Sequence, residues 1–446
     1  MKKLLLTAFA GALLLTTAEA QWSHREGDPE PHPPGKLVEP FTQAEWDASN
    51  FAPPAALEWF RDAKYGMFIH FGLSTHDNAN LSWGTCQTRK APDRGAGSVS
   101  DEVWQAYPKD FKIEKFNAKE WVEIAKAGGF KYIVVIAKHH DGFHLWDTAQ
   151  SDFKVTNTPF GRDYLKELSD ACQAAGMPFG IYYSQRDWYH PDYMPTDPSG
   201  ELHKKYIDYQ NKAVRELLTN YGKVDILWWD AAWWGGMFTA EMWDAEKLTR
   251  MARELQPDIL LNNRTSVPGD FDTPEQRLGF FQDWRPWESC ICLTNTWSYS
   301  GGEPKSRDQL IQMLVANACC DGNLLLSWGP QWNGEFEPKE KARLLEVGEW
   351  LKENGRAIYG TRGGPWKWSS WGGSTRRDKT AWLHVVKGGK IELPALPGRT
   401  VLSAQFFGAR NWPVASAVAI GLLLVLLLPI LLFQRYQQRE LEASRR

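Results

Sequence analysis

The sequence predicts a (β/α)8-like TIM barrel, followed by a truncated β-sandwich and one C-terminal transmembrane helix. Three observations carry this. Short apolar runs alternate with helix-period stretches from about residue 46 to about 360, the rhythm of strand, helix, strand that builds a parallel barrel. From 361 the texture changes to Gly-rich turns with short alternating strands, too few for a complete sandwich. Residues 414–433 then form a nearly unbroken apolar run, long enough to cross a bilayer as a helix.

Taken in order, residues 1–20 open with Lys2-Lys3, continue with an apolar stretch and end in Ala18-Glu19-Ala20, the pattern of a secretory signal. A Pro-rich lead occupies 21–45. Strand candidates in the 46–360 barrel are 66–71, 132–137, 178–184, 224–229, 259–263, 288–293 and 324–328. Apolar runs bounded by turn residues suit strands covered on both faces. Helical periodicity marks 118–127, 164–175, 204–220, 240–255, 307–318 and 339–353, most of them stopped by Gly, Asn or Pro. The stretch 80–97 reads as a loop insertion. In the 361–410 sandwich the strand candidates are 367–371, 381–386, 390–393 and 401–407. In 411–446, Arg435, Arg439, Arg445 and Arg446 follow the apolar run, which predicts a cytoplasmic tail and an exported body.

A chain of 446 residues with 43% hydrophobic content can bury a large core, and its net charge of -3 offers no basic excess for a nucleic-acid backbone. Six cysteines show no paired Cys-x-x-Cys spacing, and no disulfide pairing is readable. Tryptophan is abundant, with 24 residues, and Trp83, Trp146, Trp188, Trp228, Trp229, Trp233 and Trp234 fall near strand ends, where flat rings suit sugars.

Candidate chemistry gathers at those same ends. Asp230 closes Val224-Asp225-Ile226-Leu227-Trp228-Trp229-Asp230, and parallel barrels keep their reactive groups at strand C-termini. A helix cap is the alternative role for such a carboxylate. Lys138-His139-His140-Asp141-Gly142-Phe143 follows another apolar strand and brings polar groups to the same rim. His70, His139, His140 and Asp141 also have the chemistry of metal ligands, a competing reading.

Together with Glu58-Trp59-Phe60, the block from Lys64 through Gly72, Tyr182-Tyr183-Ser184, Leu261-Asn262-Asn263-Arg264, Asp272-Thr273-Pro274-Glu275-Gln276 and Trp287-Glu288-Ser289-Cys290, these blocks resemble the retaining α-L-fucosidases of glycoside hydrolase family 29. The resemblance implies exo-hydrolysis of terminal α-L-fucose from glycans, with Asp230 as nucleophile and no cofactor or metal. It further implies that His70, His139, His140, Tyr183 and Arg264 hold the sugar hydroxyls and the nucleophile; Trp83 and Trp228 complete the expected sugar-binding set. Glu275, on a loop soon after Arg264, is the first choice for acid/base, and Glu288, at a strand start where a structural role competes, is the runner-up. Many relatives carry a Glu-Trp pair where this chain has Ser82-Trp83, so a fucose-binding protein with disabled catalysis is the alternative. Residues 411–417 resemble the last membrane helix of a polyamine-type ABC transporter permease, which suggests a fusion. The expected partners are a fucosylated glycan and, through the tail, a membrane.

Overall fold

The computed structural model describes residues 48–86, 97–193, 200–230 and 239–388, a few isolated positions between and before them, and the backbone strand 401–406. The signal segment, the Pro-rich lead, Trp233, Trp234 and the whole of 411–446 lie outside the described residues. Among the described residues no helix is long and apolar enough to cross a membrane.

Seven parallel strands form the main sheet: β1 (Tyr65–Ile69), β2 (Tyr132–Lys138), β3 (Phe179–Ser184), β4 (Ile226–Asp230), β5 (Leu260–Leu261), β6 (Glu288–Cys292) and β7 (Asn323–Trp328). Their spatial order is β5-β4-β3-β2-β1-β7-β6. Helices return the chain between them: α1 (Pro54–Ala63), α2 (Asp101–Ala106), α3 (Ala118–Ala127), α4 (Tyr164–Ala174), α5 (Glu201–Asn220), α6 (Ala245–Leu255), α7 (Arg307–Cys319) and α8 (Pro338–Asn354). Their starts are written in the sequence. Asn117, Asp163 and Ser306 each accept a hydrogen bond from a backbone N–H of the first turn, and Ser306 with Gln309 forms a reciprocal capping box.

Between the outer strands β5 and β6, the segment 270–276 completes the ring. Asn262 pairs with Phe271, Asp272 with Trp287 and Glu275 with Cys290, all in parallel sense. This eighth stave was not foreseen, because Gly269, Asp270 and Pro274 make the segment read as a turn. It is pinned instead by tertiary contacts: Asp270 accepts from the backbone of Leu261 and Ala52 and from Arg253.

Every β1 to β7 residue is buried, as expected for strands with side chains in the barrel on one face and helices on the other. One helix start shifts by several residues. The 240–255 periodicity yields a helix only from Ala245, since Asp244 sits at φ 51 and turns the chain first. α1 and α2 were not expected from periodicity; α1 packs Phe60 against Tyr132 and Phe271, and α2 buries Trp104.

A second sheet has the order β11-β10-β9-β8, made of β8 (Arg362–Gly363), β9 (Gly372–Arg377), β10 (Thr380–Val385) and β11 (Val401–Phe406). The 367–371 candidate is a connection rather than a strand; the strand is the Gly- and Arg-rich segment after it, whose partner β10 supplies the apolar side chains. Of the 390–393 candidate, Lys390 and Glu392 lie outside the described residues. Asp321 ties this sheet to the barrel, accepting from Gly363 N at 2.8 Å while pairing with Arg61 and Lys64.

Candidate active site

The site is built by alternation along the strands. On β3 and β4 the pairs Tyr182/Trp228 and Ser184/Asp230 share one register face, and Tyr183/Trp229 the other. The first face looks into the barrel, where the Tyr182 and Trp228 rings stack at 5.7 Å and Phe68 packs 5.2 Å from Trp228. Tyr183 therefore does not reach the pocket, which corrects its expected role: its ring sits against Lys138 and edge-on to Trp229 outside the barrel. Tyr182 takes its place.

A pocket of about 370 Å³, counted with its open mouth, is lined by His70, Trp83, His139, His140, Tyr182, Trp228, Asp230, Arg264 and Glu275, closed by Phe68, Leu81, Cys290 and Trp297. At its base Arg264 donates through Nη1 to Asp230 Oδ1 at 3.0 Å and through Nη2 to Glu275 Oε2 at 2.8 Å. The Tyr182 hydroxyl donates to the other Asp230 oxygen at 2.6 Å. Arg264 also lies over the Trp228 ring at 4.6 Å, so its position is fixed from three sides. Burial works against the Arg264 charge, but Glu275 and Asp230 outweigh it and hold its pKa above the usual arginine value. The guanidinium is thus a permanent positive charge bonded to both carboxylates.

His139 and His140 would face opposite ways in a regular strand. A register shift between Ile136 and Lys138 breaks the regular alternation at the end of β2, Lys138 turns outward to Asp187, and both imidazoles come to the pocket with centroids 3.9 Å apart. His140 Nε2 lies 3.8 Å from Asp230 Oδ2. Desolvation lowers the pKa of all three pocket histidines, His139 to about 3, and His70 and His140 well below the ordinary value; neighbouring positive charge adds to this for His140. At neutral pH they are uncharged hydrogen-bonding rings. Trp83 stands edge-on to His140 at 5.4 Å and forms one wall.

Glu288, the runner-up for acid/base, lies beneath the pocket rather than in it. It is fully buried and accepts from Tyr132 OH at 2.6 Å and Trp228 Nε1 at 2.7 Å. Burial raises its pKa to about 7. Glu275, by contrast, has a side chain 38% exposed and lines the cavity.

His139, His140 and Asp230 offer ligand atoms within 4.8 Å of one another, a possible metal cluster. The donor set fits a cation poorly, because Asp230 already faces the Arg264 cation and both Nδ1 atoms are bonded to serines. Asp141 belongs elsewhere: it accepts from the Trp104 indole and the Phe143 amide. The six cysteines are free thiols.

Trp297 and Ser327 were not singled out from sequence; Ser82 was marked only as a departure from the relatives' Glu-Trp pair, and Tyr182, Ser184, Phe68 and Cys290 only as members of the motif blocks.

A parallel barrel with two carboxylates and neutral histidines at the C-terminal rim, walled by indoles, defines a glycoside hydrolase. The α-L-fucosidase family model matches residues 38–356, and the chain belongs to that family, glycoside hydrolase family 29, with the activity class EC 3.2.1.51. Human plasma α-L-fucosidase is 30% identical over 333 residues, covering 68% of this chain and 69% of that protein. An α-L-fucosidase of Dictyostelium discoideum is 27% identical over 351 residues, with 72% and 74% covered. Among solved structures, α-L-fucosidase isoenzyme 1 from Paenibacillus thiaminolyticus superposes with a TM-score of 0.68 at 35% identity, over 75% of this chain and 84% of that one. A trapped covalent intermediate of a family 29 α-L-fucosidase from Bacteroides thetaiotaomicron, bound to 2-fluoro-fucosyl fluoride, matches with a TM-score of 0.64 at 26% identity, over 74% and 81%.

Proposed function

We propose that the pocket takes a terminal α-L-fucosyl unit of a glycan and hydrolyses it with retention, Asp230 acting as nucleophile and Glu275 as acid and then base. The observation that carries this is the shared guanidinium of Arg264. Two carboxylates bonded to the two terminal nitrogens of one planar fork line the same pocket, and a double displacement uses such a pair about 5 to 5.5 Å apart.

In the first step the Glu275 carboxyl gives its proton to the glycosidic oxygen, the bond from that oxygen to the anomeric carbon breaks, and an Asp230 oxygen bonds to that carbon. Arg264 and the Tyr182 hydroxyl aim Asp230, each by a hydrogen bond to a different carboxylate oxygen. Esterification removes the Asp230 charge, leaving the guanidinium to Glu275 alone, an arrangement that suits a general base. Glu275 then takes a proton from water, whose oxygen attacks the anomeric carbon and releases Asp230. The neutral histidines serve the sugar hydroxyls, and Trp83 and Trp228 supply apolar walls. The covalent intermediate trapped in the Bacteroides relative supports the same route here.

The test is the configuration of the first product. Proton NMR of early hydrolysis of an aryl α-L-fucoside should give α-L-fucose before mutarotation; β-L-fucose as the first product would overturn the double displacement.

The apolar 414–433 run further supports an exported body anchored at its C-terminus. The full chain should then sediment with membranes and a chain ending at 410 should not; equal partitioning of the two would remove the anchor.

A further inference from the structure

All three pocket histidines are held from behind by buried serines, and for His70 and His139 the serines' own partners differ. Ser327 Oγ donates to the Trp297 carbonyl at 3.0 Å and lies 2.8 Å from His70 Nδ1. Its single proton is spent on the carbonyl, so toward His70 it can only accept, and His70 must carry its proton on Nδ1. Ser82 Oγ accepts from the Asp141 backbone N–H at 3.0 Å and lies 2.7 Å from His139 Nδ1. Among the described residues, the acceptor within reach of the Ser82 proton is that Nδ1, so His139 must carry its proton on Nε2. Both serines are buried, which keeps bulk water from replacing either bond.

We infer that Ser82 and Ser327 are positioning residues that lock His139 and His70 in opposite tautomers, so that the pocket presents a hydrogen-bond donor at His139 Nε2 and an acceptor at His70 Nε2. Burial keeps both rings neutral, the condition under which tautomer matters. The pocket then reads the sense of each sugar hydroxyl as well as its position: one hydroxyl must accept from His139, another must donate to His70. Ser82 occupies the place where many relatives are expected to put a glutamate. Here that position turns behind the histidine and sets its proton.

The inference rests on the fucose reading of the pocket, and two measurements separate the two. The first is ¹⁵N NMR of the histidine-labelled full chain, where protonated and bare ring nitrogens have well-separated shifts; His70→Asn and His139→Asn spectra assign the signals. His70 should be Nδ1-protonated and His139 Nε2-protonated, and the same tautomer on both rings overturns the inference whatever the ligand. The second is competitive inhibition by L-fucose and its monodeoxy and monodeoxyfluoro analogues, since fluorine accepts weakly and cannot donate. At the hydroxyl over His139 the fluoro analogue should bind more tightly than the deoxy one; at the hydroxyl over His70 it should bind no better. Ser82→Ala should erase the first difference and weaken fucose binding roughly tenfold, as for one lost oriented hydrogen bond, with Ser82→Thr restoring part of it. Equal fluoro and deoxy inhibition at every hydroxyl sinks the donor and acceptor assignment. Failure of fucose itself to compete sinks the function instead. If Ser82→Ala does not fold, the wild-type spectra and inhibitor series still decide.

Discussion

Arg264 and Asp230 meet at 3.0 Å on the floor of the pocket, one from just beyond the end of β5 and the other from the end of β4, and the same guanidinium reaches Glu275 on the stave beyond. That junction makes the carboxylates of two strand ends a single chemical unit, and the predictions test its parts.

Asp230→Gly should lower turnover by roughly 10⁴-fold, the scale on which loss of a covalent nucleophile is felt, without unfolding the barrel. Azide enters the vacated space and should restore part of the rate, giving a fucosyl azide of inverted configuration. Near-native turnover of an activated aryl fucoside by Asp230→Gly would end the nucleophile assignment.

Glu275→Ala should slow fucosides with basic leaving groups by about 10² to 10⁴-fold and aryl fucosides with acidic leaving groups far less, because protonation helps most when the departing oxygen is basic. A Brønsted series across leaving groups reads this directly. An unchanged slope would move the acid/base away from Glu275.

Glu288 should matter to stability. Glu288→Ala leaves the Tyr132 hydroxyl and Trp228 indole as buried donors without an acceptor, a loss of about 1 to 3 kcal/mol each. Burial raises the folded-state pKa to about 7. A raised carboxyl binds its proton more tightly in the folded state, so its contribution is present below the unfolded value of about 4.5 and is lost as pH climbs through 7. Wild type should therefore weaken relative to Glu288→Gln between about pH 5 and pH 8, by on the order of 3 kcal/mol. Thermal melts of the two proteins across that range check it; parallel pH profiles would contradict the buried-acid account.

The Tyr182 and Tyr183 hydroxyls give a matched pair. Tyr182→Phe removes a donor from Asp230 and should reduce kcat by roughly tenfold, about what one hydrogen bond to a charged group is worth. Tyr183→Phe removes a buried hydroxyl that has no partner among the described residues, and should leave kcat unchanged and the Tm equal or higher. The reverse pattern would return the site to Tyr183.

The lowered histidine pKa values predict that binding of a neutral competitive inhibitor stays flat from pH 8 to about pH 5, with no break near the ordinary histidine value of about 6.5. The sign for stability is opposite to that of Glu288. A depressed histidine pKa stabilises the fold above about 6.5, and the gain fades as pH falls and the unfolded chain takes up protons. An inhibition profile with a break at 6 to 7 would mean that a pocket histidine ionises.

Much of the barrel was legible because burial on both faces leaves continuous apolar runs and because caps and stops punctuate the helices. Asp230, Arg264 and the double histidine could be found for the same reason: a polar group directly after such a run has the rim to itself. The stave at 270–276 was hidden because no apolar run marks it; Ala52, distant in sequence, holds it in place together with Arg253, Leu261 and Trp287. The two tyrosines looked alike in sequence, and only the register of β3 against β4 decides which one enters the barrel. Glu275 and Glu288 were likewise two carboxylates near one arginine until folding exposed one and sealed the other under Trp228.

By itself the sequence determined the barrel class, the strand ends that carry polar groups, and the family, since periodicity and local motifs are properties of neighbours along the chain. Tertiary structure alone decided which side of each strand looks inward, which glutamate meets solvent and which serine stands behind each histidine. Those depend on the packing of residues far apart in sequence, and burial and hydrogen-bond partners, which set charge and tautomer, exist only once that packing is made.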